Sequence, residues 1–128
     1  MTRKIFSVSL MLVLAGLVAF GQDAAKTVKI KGYLIDNMCS GDPGEDKDYE
    51  AEAKGHTLSC ALMPHCHKSG FAVAEGRKLY KLDDEGNKLA DVALKATKGK
   101  KAMQVEVEGT LEGSTLKATK LTEIAAKE

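Results

Sequence analysis

All three cysteines (Cys39, Cys60, Cys66) and all three histidines (His56, His65, His67) of this 128-residue chain fall between positions 39 and 67. Thiolates and imidazoles hold zinc and copper, close disulfides and form nucleophile–base pairs, so crowding them into one stretch marks a site. Three chemistries compete for it. In the first, Cys39, His56, Cys60 and Cys66 supply the three-Cys, one-His shell common for structural zinc. With the thioethers of Met38 or Met63 nearby, the same set also suits Cu(I). In the second, one disulfide closes among the three possible pairs and leaves one thiol over. In the third, the leftover thiol beside His65 or His67 acts as a nucleophile, because a neighbouring imidazolium lowers a cysteine pKa. No orienting acid or oxyanion element accompanies that thiol, and the chain is read as a non-enzyme.

Two other ligand patterns fail on spacing. The string M-P-H-C-H ends in Cys66-His67 but has Met63 where covalent haem attachment needs its first cysteine. The segment Gly41 to Gly55 is acidic without the ligand spacing of a calcium loop. In D-D-E-G-N (Asp83 to Asn87) the glycine comes too early and Leu94 stands where a bidentate Glu is needed.

The compartment bears on which chemistry wins. Arg3 and Lys4 precede the apolar run Ile5 to Phe20, and Ala19 and Gly21 stand at cleavage spacing, so residues 1–21 read as a secretory signal peptide. The run is short for a membrane span, and no cysteine follows it for a lipid anchor. Export is therefore expected to the periplasm or medium, without a stable membrane anchor after cleavage. The remaining 107 residues carry 17 basic and 18 acidic side chains, which leaves no basic field for nucleic acid. Their 42 apolar residues include 14 alanines, so the core is thin. A disulfide or a metal is the usual supplement for a small exported domain.

The elements that must position the site follow from periodicity. Residues 22–27 read as a mobile lead-in, and residues 28–126 as one domain. Val28 to Asp36 alternates as a half-buried strand, with Val28, Ile30, Gly32 and Leu34 on one face. From Asn37 to Ser69 the alternation stops, giving a long Cys/His loop with one helical turn over Tyr49 to Lys54, ended by Gly55. Phe71 to Glu75 and Lys78 to Asp83 form a hairpin about Gly76-Arg77. Asp83 to Asn87 reads as a turn, after which Asn87 caps a short helix with Leu89, Val92, Ala93 and Ala96 inward. Lys95, Lys98, Lys100 and Lys101 suit that helix's C-terminus. Met103 to Leu111 and Thr115 to Ile124 form a second hairpin, whose pattern slips between Ala118 and Leu121 as a bulge would make it.

Strand, long loop, two strands, helix and two strands is the order of an OB-like barrel, five strands in a Greek key, here with an enlarged first loop. An α+β roll is the alternative. Strand one beside strand two would bring both ends of the loop together, making Cys39 and Cys66 neighbours.

The strings K-G-Y-L-I-D-N-M-C (Lys31 to Cys39), H-T-L-S-C-A-L-M-P-H-C (His56 to Cys66) and S-G-F-A-V (Ser69 to Val73) resemble a set of small exported bacterial proteins of unknown function. So do L-Y-K-L-D-D-E-G-N-K (Leu79 to Lys88) and V-E-V-E-G-T-L-E-G (Val105 to Gly113). The resemblance implies a shared fold and a recurring arrangement of Cys39, His56, Cys60 and Cys66, and it carries no activity. His65 and His67 lie outside that pattern.

The sequence thus points to a non-enzymatic, exported barrel domain whose loop is cross-linked through zinc, copper or a disulfide. The competing expectation is a stapled interaction module that presents Tyr33 and Tyr80 to a peptide, a glycan or an envelope or extracellular partner.

Overall fold

The computed structural model describes residues 26–124. The signal-peptide assignment, the lead-in before Lys26 and the domain's last two residues lie outside them. Five strands close into a ring in the order β1-β2-β3-β5-β4: β1 (Thr27–Asp36), β2 (Phe71–Glu75), β3 (Lys78–Leu82), β4 (Gln104–Glu112) and β5 (Thr115–Glu123). The architecture is mainly β, the small OB-like barrel expected from the element order. Strand β1 is shared by two halves of the ring. Its residues Thr27 to Tyr33 pair antiparallel with β4, and Tyr33 to Asp36 pair antiparallel with β2. A short parallel seam, Lys81 with Thr115 and Leu82 with Leu116, joins β3 to β5.

The register follows the apolar alternation. Ile30, Leu34, Val73, Val105, Val107 and Leu116 are buried in one cluster inside the barrel, because side chains two apart on a strand share a face. The expected slip in β5 is a bulge at Thr119, since Glu108 pairs with Lys120 while Gly109 pairs with Ala118.

Helix α5 corrects the sequence reading at its start. It runs from Asp84 to Ala96, and Asp83, rather than Asn87, is the cap: its Oδ1 accepts from Gly86 N at 2.9 Å and from Ala118 N at 3.1 Å. Asp84 and Glu85 then occupy the first turn, where the helix dipole favours acids, so the expected turn is cap and first turn instead. Of the expected inward stripe, Leu89 and Ala93 pack against the interior cluster. Gly86, Ala90 and Leu94 are buried, and Val92, expected inward, is 66% exposed.

The enlarged loop is more ordered than a single helical turn. Besides α2 (Tyr49–Lys54) it contains α1 (Asn37–Ser40), α3 (Leu58–Ala61) and α4 (Pro64–Lys68). Helix α2 covers the outside of the barrel. Tyr49 and Ala53 are buried in a second cluster with Ile35, Ala72, Ala74 and Leu79. The Tyr49 hydroxyl donates to Asp42 O at 2.5 Å and accepts from Glu45 N at 2.9 Å, which folds the acidic stretch onto the helix. Gly76 N donates to Glu50 Oε2 at 2.8 Å, tying α2 to the β2–β3 turn.

Tyr33 packs against this outer cluster, whereas Tyr80 packs against the interior one. The two tyrosines do not share a face.

Candidate metal centre

Strand β1 ends where the site begins. Asp36 keeps extended backbone angles (φ −75°, ψ 152°) and caps α1, its Oδ1 accepting from Cys39 N at 3.0 Å. A cap reaches the amide three residues on, so this spacing by itself sets a carboxylate against Cys39.

Cys66 arrives from the far end of the loop. Asp36 is registered with Phe71 across the β1–β2 pair, so the chain entering β2 must pass alongside α1. Four hydrogen bonds fix the passage. Asn37 N donates to Gly70 O at 2.9 Å, and Asn37 Nδ2 to Ser69 O at 2.9 Å. Met38 N donates to Ser69 Oγ at 3.1 Å, and Ser69 Oγ donates in turn to Cys66 O at 2.6 Å. Gly70, at φ +81°, adopts a left-handed conformation that L side chains disfavour, and a Cβ there would press on Asn37 Nδ2 at 3.0 Å.

The outcome is a compact donor group. A carboxylate oxygen of Asp36 and the sulfurs of Cys39 and Cys66 all lie within 4.8 Å of one another, and this buried group could hold a metal ion. Asp36 is fully buried, and its Oδ2 has no hydrogen-bond partner among the described residues. A buried carboxylate oxygen in that condition is costly unless a cation compensates it. The His56 imidazole borders the group, with Nε2 3.6 Å from Oδ2. Burial, then the Asp36 carboxylate, then Cys66 push the Cys39 thiol up to about 12. A bound divalent ion reverses that preference, because its charge favours thiolates.

The four residues expected to form one shell therefore divide. Cys39 and Cys66 come together, and His56 borders the group through Asp36. Cys60 does not belong to it: it sits half-buried on α3, its amide donating to Thr57 Oγ1 at 3.3 Å. All three cysteines are free thiols. Asp36 was not anticipated as a donor, although D-N-M-C carried the signal, an acid at cap spacing before a cysteine. Of the remaining histidines, His65 is exposed. His67 is a tether, with Nε2 2.6 Å from Asp91 Oδ1 on α5 and its ring edge-on to Phe71 at 5.6 Å. Lys95 and then His67 hold the Asp91 carboxyl below its usual range.

No family model, curated protein or solved structure matches the chain.

Proposed function

We propose that this chain is an exported, non-enzymatic small barrel that binds a divalent transition ion, zinc in preference to copper, through Cys39, Cys66 and Asp36. His56 is the nearest fourth donor. The observation that carries this reading is the fully buried Asp36 carboxylate, one oxygen of which groups with two sulfurs while its Oδ2 finds no hydrogen-bond donor among the described residues. A mixed set of sulfur, oxygen and imidazole donors suits borderline Zn²⁺, whereas Cu(I) favours an all-soft shell. The thioethers that would favour copper belong to exposed side chains, Met38 at 61% and Met63 at 52%. The role is structural: the ion joins α1 to α4, the two ends of the loop, in a domain whose core is rich in alanine.

The deciding experiment is intact mass under non-denaturing conditions, paired with a thiol count in denaturant with and without chelator. One zinc per chain and three thiols after stripping support the reading. Three thiols with no metal bound under any loading condition overturn it. For export, N-terminal sequencing of the secreted chain should start at or near Gln22, and an intact Met1 in a membrane fraction would refute cleavage.

A further inference from the structure

We infer that Cys39 and Cys66 are the pair that closes to an intrachain disulfide on oxidation, with Cys60 left as the residual thiol. The sequence leaves three pairings open, and the geometry favours one. The Cys39 and Cys66 sulfurs lie within 4.8 Å of each other, and Cys60 is outside their group. The hydrogen bonds from Asn37 and Met38 to Ser69 and Gly70, with that from Ser69 to Cys66 O, hold the two helices side by side. A disulfide is about 2.0 Å long. The sulfurs must therefore approach by no more than about 3 Å, a movement shared between two side chains that turn about their Cα–Cβ bonds.

The oxidant required is a small-molecule disulfide, RSSR. Cys39 is half-buried and Cys66 buried, so Cys39 meets it first. The Cys39 sulfur gives up its proton and attacks one sulfur of RSSR. The S–S bond breaks, and the departing RS⁻ takes up a proton to become RSH. The Cys66 sulfur, losing its own proton, then attacks Cys39 in the mixed disulfide, and the second RS⁻ leaves and is protonated. Two protein thiols are oxidised and one RSSR is reduced to two RSH. A disulfide offers no thiolate, so the same pair of sulfurs serves either the bond or an ion, never both.

The test uses the mature chain, stripped with chelator and incubated with oxidised glutathione, followed by alkylation, digestion and fragmentation mass spectrometry. The expected product links Cys39 to Cys66, is two hydrogens lighter, and carries the alkyl group on Cys60. Thiol counts should fall from three to one in the parent and from two to none in Cys60→Ser. In Cys39→Ser and Cys66→Ser no intrachain link should form. A link that includes Cys60 in the parent, whose map needs no variant to fold, overturns the inference. So does glutathione retained on Cys39 with no intrachain link. A parallel arm preloads the reduced chain with zinc, which should slow thiol loss at least tenfold. The two readings fail separately. If the reduced chain binds no zinc and the Cys39–Cys66 link still forms, the metal reading falls and this one stands. If zinc binds and the link involves Cys60, the reverse holds.

Discussion

His56 Nε2 stands 3.6 Å from Asp36 Oδ2, the buried oxygen that no hydrogen-bond donor among the described residues satisfies. The pair is too far apart to hydrogen-bond, so the carboxylate that groups with the two sulfurs keeps one oxygen open to a ligand. Asp36→Asn should separate the roles of this residue. Its amide oxygen still caps Cys39 N, so α1 is kept. Zinc affinity should fall more than tenfold, as loss of a ligand or its orienting partner does. The metal-free variant should melt no lower than the parent, because a buried group costing about 1–3 kcal/mol when unsatisfied has lost its charge. Competition against a chromophoric chelator and metal-free melting curves measure the two effects, and parent-like zinc affinity would exclude Asp36 from the site.

The cysteines should divide in the same way for metal. Cys39→Ser and Cys66→Ser should abolish stoichiometric zinc binding, whereas Cys60→Ser should bind within about threefold of the parent, since only the first two sulfurs join the donor group. Equal loss in all three variants would restore the four-residue shell of Cys39, His56, Cys60 and Cys66.

The strands, the hairpin turn at Gly76, the bulge in β5 and helix α2 were legible in the sequence because each leaves a local mark: period-two alternation, a glycine between strands, a break in phase. The proximity of Cys39 and Cys66 was legible at one remove, through the pairing of β1 with β2. What stayed hidden depends on choices between equivalent local signals. Asp83 and Asn87 are both good caps, and Asp83 prevails because its carboxylate also reaches Ala118 N on β5, a tertiary contact. Asn87 is inside α5, where Phe71 N donates to its Oδ1 at 2.8 Å. Likewise, nothing local in H-T-L-S-C separates Cys60 from its neighbours in chemistry. Its exclusion comes from where α3 sits once α1 and α4 are joined.

Alkaline pH should weaken the metal-free protein through Cys39. Its folded-state value, about 12, exceeds its ordinary 9.0, so the unfolded chain releases the proton first. The resulting stability is fully present below about pH 9 and is lost as pH rises toward 12. Chemical denaturation at about pH 8 and about pH 11 should show a steeper loss in the parent than in Cys39→Ser. Lys29, Lys47, Lys54 and Lys117, also raised, contribute equally to both and cancel in the comparison. Parallel slopes would mean that the folded thiol is not held protonated.

Among the glycines of the barrel strands, Gly109 leaves the least room for a side chain. It lies opposite Ala118 beside the bulge, where an added Cβ would overlap the carbonyl of Lys117 and sit 2.9 Å from Ala118 Cα. Gly109→Ala should destabilise by about 1–3 kcal/mol, the usual range for overpacking, and this would appear as a lowered denaturation midpoint at unchanged slope. An unchanged midpoint would show that β4 and β5 can separate there without loss.

Asp36 and Phe71 are directly opposed partners on adjacent antiparallel strands, yet residues 37–70 lie between them. Antiparallel strands with paired ends can be joined by a two-residue turn, so the ring does not require this segment for its connectivity. The interior cluster takes only Ala61 from it as a fully buried member. The chain thus consists of a five-stranded scaffold and a cassette inserted at a single joint, whose Tyr49 and Ala53 cover the scaffold's outer cluster, and the candidate donors lie in the cassette and at Asp36 on its hinge. Substitutions within the cassette can alter what is bound while the scaffold persists, and a cassette of different length could be exchanged at the same joint without changing the order of the strands.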